Sequence, residues 1–206
     1  MKKYLAYYEN ELPANIAELT AVENKPFVGY LKGEGVRYTV IPEPVVGPPD
    51  NEIWYTTTDG LKITPYVPYA FNNDRDHIPM ISNELVDDKW VMTFENRINR
   101  IDGNETYNDS SALFACYVGE KDSYYSHKTV NAVYLPNSIS DIGFYAFGGC
   151  TNLTDIYYNG TKNEWNNVGK WLNLDAGYPG WGFCFGGVPT NIVHCIDGDA
   201  PLYTVE

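Results

Sequence analysis

An internal repeat constrains this chain more than any other feature. The segment NAVYLPNSISDIGFYAFGGCTNL, residues 131–153, is followed at once by a new strand-like run, DIYYNG at 155–160, so that Tyr134 and Tyr157 stand 23 residues apart. A period of roughly 20–29 residues marks units of one strand and a returning segment, none of which buries its apolar face alone. Val133, Leu135, Ile139, Ile142, Ala146, Phe147, Cys150 and Leu153 are the inward set of such a unit. Gly143 and Gly149 read as turn positions that need permissive φ.

A looser copy precedes it. WVMTFENRINRIDG at 90–103 and ALFAC at 112–116 place a strand at 91–94, align Ile98 and Ile101 with Ile139 and Ile142, and bring Phe114 and Cys116 to Phe147 and Cys150 with a slip of one residue. A polar, Tyr-rich insertion at 117–129 separates the copies, and NIVHCID at 191–197 is the expected closing strand. Between them, residues 161–183 read as a cap carrying Trp165, Trp171 and Trp181.

Upstream, PFVGYL at 26–31 and GVRYTVI at 35–41 alternate as the two arms of a β-hairpin. Leu12, Ile16 and Leu19 have the spacing of one or two helical turns, and the segment fits an extended run equally well. Proline fixes φ and removes backbone donors, so the stretch PEPVVGPPDN at 42–51 halts regular pairing and marks a boundary. Beyond it, two β-prone runs flank Asp59-Gly60, a dipeptide suited to a primed hairpin turn. The expected organisation is a β-hairpin docking and assembly module at 1–47, a linker and second hairpin at 48–89, and a repeat domain with an aromatic C-terminal cap at 90–206.

Composition narrows the function. With 44% apolar residues the chain has the material for a core, and a formal charge of -13 repels phosphate backbones, so nucleic acid is not an expected partner. No apolar run approaches the length that crosses a bilayer, so membrane insertion is not expected. The opening MKKYLAYYENELP reaches Tyr7, Tyr8, Glu9 and Glu11 without an apolar stretch. It does not read as a secretory leader, and the chain is expected to reach its place without the secretion machinery.

Catalytic patterns are missing from the sequence. His77, His127 and His194 have no second metal-type ligand two to four residues on, and there is no GxSxG, phosphate-binding glycine loop or HExxH. Cys116, Cys150, Cys184 and Cys195 are too widely spaced for a zinc ribbon and read as buried free thiols, with a Cys184–Cys195 disulfide as the alternative. Asn72–Asp76 and Asp102–Asp109 offer oxygen ligands, but their spacing fails the EF-hand pattern and solvated turns are the simpler reading. No metal or cofactor is expected. A carboxylate pair for glycoside hydrolysis can come from distant strands, which keeps a carbohydrate-active enzyme as a second alternative.

The run LPNSISDIGFYAFGGCTNLTDIYYNGTKNEW resembles the BspA-like leucine-rich repeats of gut and oral bacteria, whose units share a strand, a Pro-Asn-Ser turn, an Ile-Gly step and an Ala-Phe-x-x-Cys segment. The resemblance is specific over residues 133–165 and fades on either side. The segment NEIWYTTTDGLKITPY, 51–66, also resembles a lead-in to such repeats in Bacteroides-type bacteria and their phages. It implies a mainly β chain: a small N-terminal β module followed by a short, capped leucine-rich-repeat solenoid with short helical turns, which binds other proteins, matrix or glycans and carries no catalysis.

Taken with the missing leader, the expected role is a non-enzymatic structural or attachment component at the surface of a phage virion, a short fibre or decoration protein that presents its repeat domain. Its partners would be other virion proteins or a cell-surface protein or glycan, and a homo-oligomer, a trimer among the options, would multiply weak contacts. A bacterial cell-surface adhesion module is the alternative. The expected partner-binding residues are Tyr124, Tyr125, Trp171, Tyr178 and Trp181, and the expected assembly residues are Phe27, Tyr30, Val36 and Tyr38.

Overall fold

The computed structural model describes residues 47–103, 113–118, 123–170 and 184–203, with the backbone of short strands at 5–6, 28–30 and 37–41. The chain divides into two compact units, Met1–Val45 and Val46–Glu206. In the first, β1 (Leu5–Ala6), β2 (Val28–Tyr30) and β3 (Arg37–Ile41) form an antiparallel sheet in the order β1-β3-β2. The expected hairpin is β2 with β3, Val28 opposite Thr39 and Tyr30 opposite Arg37. The helical turns expected at 12–19 lie outside the described residues.

The second unit is mainly β, with β4 (Glu52–Thr57), β5 (Tyr69–Phe71), β6 (His77–Val86), β7 (Lys89–Phe94), β8 (Arg100–Ile101), β9 (Ala115–Val118), β10 (Ser123–Ser126) and β11 (Val130–Leu135). After them come β12 (Asp141–Ile142), β13 (Asp155–Tyr158), α1 (Lys162–Asn167), β14 (Gly169–Lys170), β15 (Ile192–Cys195) and β16 (Gly198–Pro201). One mixed, open sheet of 11 strands runs β14-β12-β8-β5-β6-β7-β4-β11-β13-β15-β16, and β9 and β10 make a separate antiparallel pair. Segments 48–89 and 90–206 therefore share one sheet.

The sequence period appears as two parallel ladders. In one, β11, β13 and β15 lie side by side, with Val133 opposite Ile156 and Tyr157 opposite His194. In the other, β8, β12 and β14 do the same, with Ile101 opposite Ile142 and Ile142 opposite Lys170. Between the ladders the rings of Phe114, Phe147 and Phe185 stack at centroid distances of 5.0 and 5.1 Å. The alignment of Ile101 with Ile142 and of Phe114 with Phe147 is thus a spatial one. The whole inward set from Val133 to Leu153 is buried, at 1% exposure or less.

Several elements differ from expectation, each for a physical reason. The turn at Asp59-Gly60 forms, with Gly60 at φ 70° and the Leu61 N–H donating to Asp59 Oδ1, but the chain after it does not pair back on β4. Ile63 is instead drawn into the core, where its N–H donates to the Tyr55 hydroxyl and its carbonyl accepts from Asn83 Nδ2, and β4 pairs with β7 and β11. The hairpin turn lies at Asp87-Asp88, both at positive φ (44° and 67°), with Val86 opposite Lys89. Aspartate tolerates the left-handed region that a two-residue primed turn requires.

The strand at 91–94 forms within β7, yet it pairs antiparallel with β4 rather than parallel with β11. The run at 191–197 forms β15, but the last strand is β16, folded back antiparallel on it. In place of short helical turns through the repeat, the described residues contain one α-helix, α1. A capping box starts it: Thr161 Oγ1 accepts from the Glu164 N–H while the Glu164 carboxylate accepts from the Thr161 N–H and hydroxyl, which holds the Glu164 pKa below its usual value. Trp165 is the helix's buried residue, and its Nε1 donates to the carbonyl of Pro201.

Gly149 has the positive φ (74°) expected of it, whereas Gly143 is needed for close approach. A Cβ there would lie 2.5 Å from the Asp102 carboxyl carbon. That carboxylate accepts from Arg100 Nε and Nη2 at 3.1 and 2.6 Å, and Arg100 also pairs with Asp141 at 3.5 Å, tying β8 to β12.

Candidate binding face

The strands β4, β11, β13 and β15 share a pattern: Ile53-Trp54-Tyr55, Val133-Tyr134-Leu135, Ile156-Tyr157-Tyr158 and Val193-His194-Cys195 each set a ring residue between apolar ones. Successive residues of a strand point to opposite faces, so burying Ile53, Val133, Ile156 and Val193 sends the central ring outward. Register then brings the rings together, because Trp54 lies opposite Tyr134, Tyr134 opposite Tyr157 and Tyr157 opposite His194.

The result is a row of four half-buried rings. Centroid distances are 6.4 Å for Trp54–Tyr134, 4.5 Å for Tyr134–Tyr157 and 4.9 Å for Tyr157–His194, and the two tyrosine planes lie within 6° of parallel. Each tyrosine therefore has a ring on either side, and what it offers to a partner is its edge and its hydroxyl. Burial pushes the pKa of Tyr134 and Tyr157 up, and the nearby Asp155 adds to the rise, so both hydroxyls stay protonated at neutral pH and serve as donors or acceptors.

Polar groups fix the row. Trp54 Nε1 donates to Glu52 Oε2 at 2.7 Å, and Lys89 Nζ stands 5.2 Å from the Tyr134 centroid and 6.0 Å from that of Trp54. His194 Nδ1 lies 2.8 Å from Asp199 Oδ1, and its Nε2 lies 3.7 Å from Asp155 Oδ1. Cross-strand pairs of this kind contribute roughly 0.2–1 kcal/mol each, enough to hold the rings on a rigid sheet.

The expected partner-binding residues are not brought into this row. Tyr124 and Tyr125 lie in β10, opposite Tyr117 and Cys116 of β9, and Trp171, Tyr178 and Trp181 lie outside the described residues. Of the expected assembly residues, Tyr30 stands in β2 and Tyr38 in β3, opposite Gly29, while Phe27 and Val36 lie outside the described residues.

The histidines separate. His77 stacks on Tyr69 at 4.1 Å, and His127 stacks on Tyr66 at 4.6 Å with its Nε2 buried and without a hydrogen-bond partner. Burial lowers the pKa of His127 and keeps it neutral. Asn72 Oδ1 accepts the backbone N–H of Asp74 and of Asp76, so the oxygen-rich segment at 72–76 closes as a hydrogen-bonded turn. Among the described residues no group of three or more His, Cys, Asp or Glu side chains is placed to hold a metal.

Cys150, Cys184 and Cys195 are free thiols, so the alternative Cys184–Cys195 disulfide does not form. Burial pushes Cys150 and Cys184 up to about 12. Lys170, brought down to about 8 by burial, donates to the carbonyls of Trp165 and Val168 and so closes the end of α1.

The chain matches no protein-family model, no curated protein and no solved structure.

Proposed function

We propose that the chain is a non-enzymatic attachment module, a short capped leucine-rich-repeat solenoid of the BspA-like kind behind a small β module, carried on a phage virion as a short fibre or decoration protein. The repeat domain faces a host-surface or virion partner, and the N-terminal module, with Phe27, Tyr30, Val36 and Tyr38, docks or assembles copies into a closed homo-oligomer. The reading is supported by the parallel ladders that carry the repeat period and by the stacked phenylalanines between them.

The observation that carries the binding role is the outward row of Trp54, Tyr134, Tyr157 and His194. Clustered aromatic residues concentrate binding energy, and a rigid strand face presents them at little entropic cost.

Two measurements test the reading. Light scattering on the full chain and on a chain beginning at Asn51 should give a defined oligomer for the first and a monomer for the second; two monomers would favour a stand-alone cell-surface adhesion module. Adhesion of the labelled full chain to a panel of gut bacteria should drop when Tyr134 and Tyr157 are both changed to Ala. If the unaltered chain adheres to none of them, the attachment role fails.

A further inference from the structure

We infer that the outward row receives a basic polypeptide segment, one bearing arginine or lysine, rather than a sugar; this rests on the attachment role proposed above and names the partner's chemistry. Sugar recognition by aromatic residues needs a free ring face against which the pyranose C–H groups pack. Here Tyr134 and Tyr157 stack on one another at 4.5 Å, Lys89 Nζ lies over the Tyr134 ring at 5.2 Å, and the tilted rings of Trp54 and His194 crowd the two ends of the stack. Ring edges and hydroxyls remain, which suit side chains and peptide groups.

Charge decides the class of segment. Register extends the row at both ends, since Glu84 of β6 and Trp54 of β4 both lie opposite Val91 of β7, and Asp199 of β16 lies opposite His194. Glu52 and Asp155, two residues from Trp54 and Tyr157 along their strands, share the outward face and flank the row on either side. Four carboxylates thus surround the rings. Facing them are Lys89, which sits over Trp54 and Tyr134, and His194, which is held between Asp155 and Asp199.

A carboxylate- or phosphate-bearing partner would meet four like charges with Lys89 opposing them, whereas arginine and lysine supply the donors that these oxygens accept. Neighbouring strands lie about 4.8 Å apart, so the span from Glu84 to Asp199 is about 29 Å, the reach of about nine extended residues.

The test uses the full chain and a labelled nine-residue peptide of alternating arginine and serine, with alternating glutamate and serine as control, read by fluorescence anisotropy at low and physiological salt. The arginine peptide should bind and weaken with salt. Asp155→Asn with Asp199→Asn should cost about tenfold in affinity, while Asp59→Asn with Asp74→Asn, which removes the same charge from turns outside the row, should cost less than about twofold.

Equal losses from the two pairs would mean only general attraction to an acidic chain, and the inference would fall. It would also fall if the arginine peptide bound no better than the glutamate one. Binding of a neutral hexasaccharide that Tyr157→Ala abolishes, without peptide binding, would overturn the inference while leaving the attachment role standing.

Discussion

Phe147→Ala tests whether the stacked phenylalanines act as one column joining successive repeats. Phe147 is fully buried, with Phe114 at 5.0 Å on one side and Phe185 at 5.1 Å on the other, the latter in a parallel stack. Truncating a buried phenylalanine costs about 3–5 kcal/mol in lost transfer energy and residual cavity. Two ring contacts, each contributing about 0.5–1.5 kcal/mol beyond buried area, put this site in the upper half of that range, at about 4 kcal/mol or more. For a chain of this length each kcal/mol lowers Tm by about 2–4 °C, so the fall should be about 8–16 °C, read by circular dichroism and checked in urea.

Double-mutant cycles make the test specific to stacking. Phe114→Ala with Phe147→Ala should show a coupling of about 0.5–1.5 kcal/mol, because the rings touch. Phe114→Ala with Phe185→Ala should be additive within about 0.5 kcal/mol, because Phe147 stands between them. A loss below about 1.5 kcal/mol for Phe147→Ala, or equal coupling in the two cycles, would refute the column.

Three further outcomes follow from the same geometry. Gly143→Ala drives a Cβ into the Asp102 carboxylate and should cost about 2 kcal/mol in urea melts, with part of the loss recovered by Asp102→Ser; Gly60→Ala, in open space at φ 70°, should cost only about 1 kcal/mol. His127 has a folded pKa depressed below 6.5, so the unfolded chain binds the extra proton as pH falls. Its contribution is complete above that value and is lost as pH drops through the folded pKa. The urea stability of the unaltered chain minus that of His127→Leu should therefore decline from pH 7.5 to pH 5, and a flat difference would sink the assignment. Cys150 and Cys184, pushed up to about 12 by burial, should resist alkylation at pH 8 until urea unfolds the chain, with peptide mass spectrometry locating the modified residues.

The repeat was legible because one chemical rule fixes it: a strand and its return must bury the same side chains in every unit. Val133 through Leu153, Ile101 against Ile142 and Phe114 against Phe147 all obey that rule. Strand partners obey no such local rule. The alternation in Lys89–Phe94 announces a strand but not a neighbour: the left-handed turn at Asp87-Asp88, a dipeptide with a weaker sequence signature than Asp59-Gly60, places it beside β6, and β4 takes its other edge. The ring row was present in the sequence as a ring residue set between two core residues in four strands. It is not legible there because Trp54 belongs to a segment outside the repeat, and only the antiparallel pairing of β4 on β11 joins it to Tyr134.

That pairing also bounds the face. A parallel ladder leaves an open edge at each end, and an uncovered edge invites further strands. Here both edges of β11-β13-β15 are met by antiparallel strands, β4 on β11 and β16 on β15. The second is sealed further, because α1 packs there, Trp165 Nε1 takes the carbonyl of Pro201, and proline brings no N–H to that position of the strand. Another repeat cannot be added at either edge without displacing one of these strands. The outward row is therefore finite: the strand that closes one edge contributes Trp54, and the strand that closes the other contributes Asp199. The closures that end the ladder thus carry Trp54, the first ring of the row, and Asp199, which holds the last, His194.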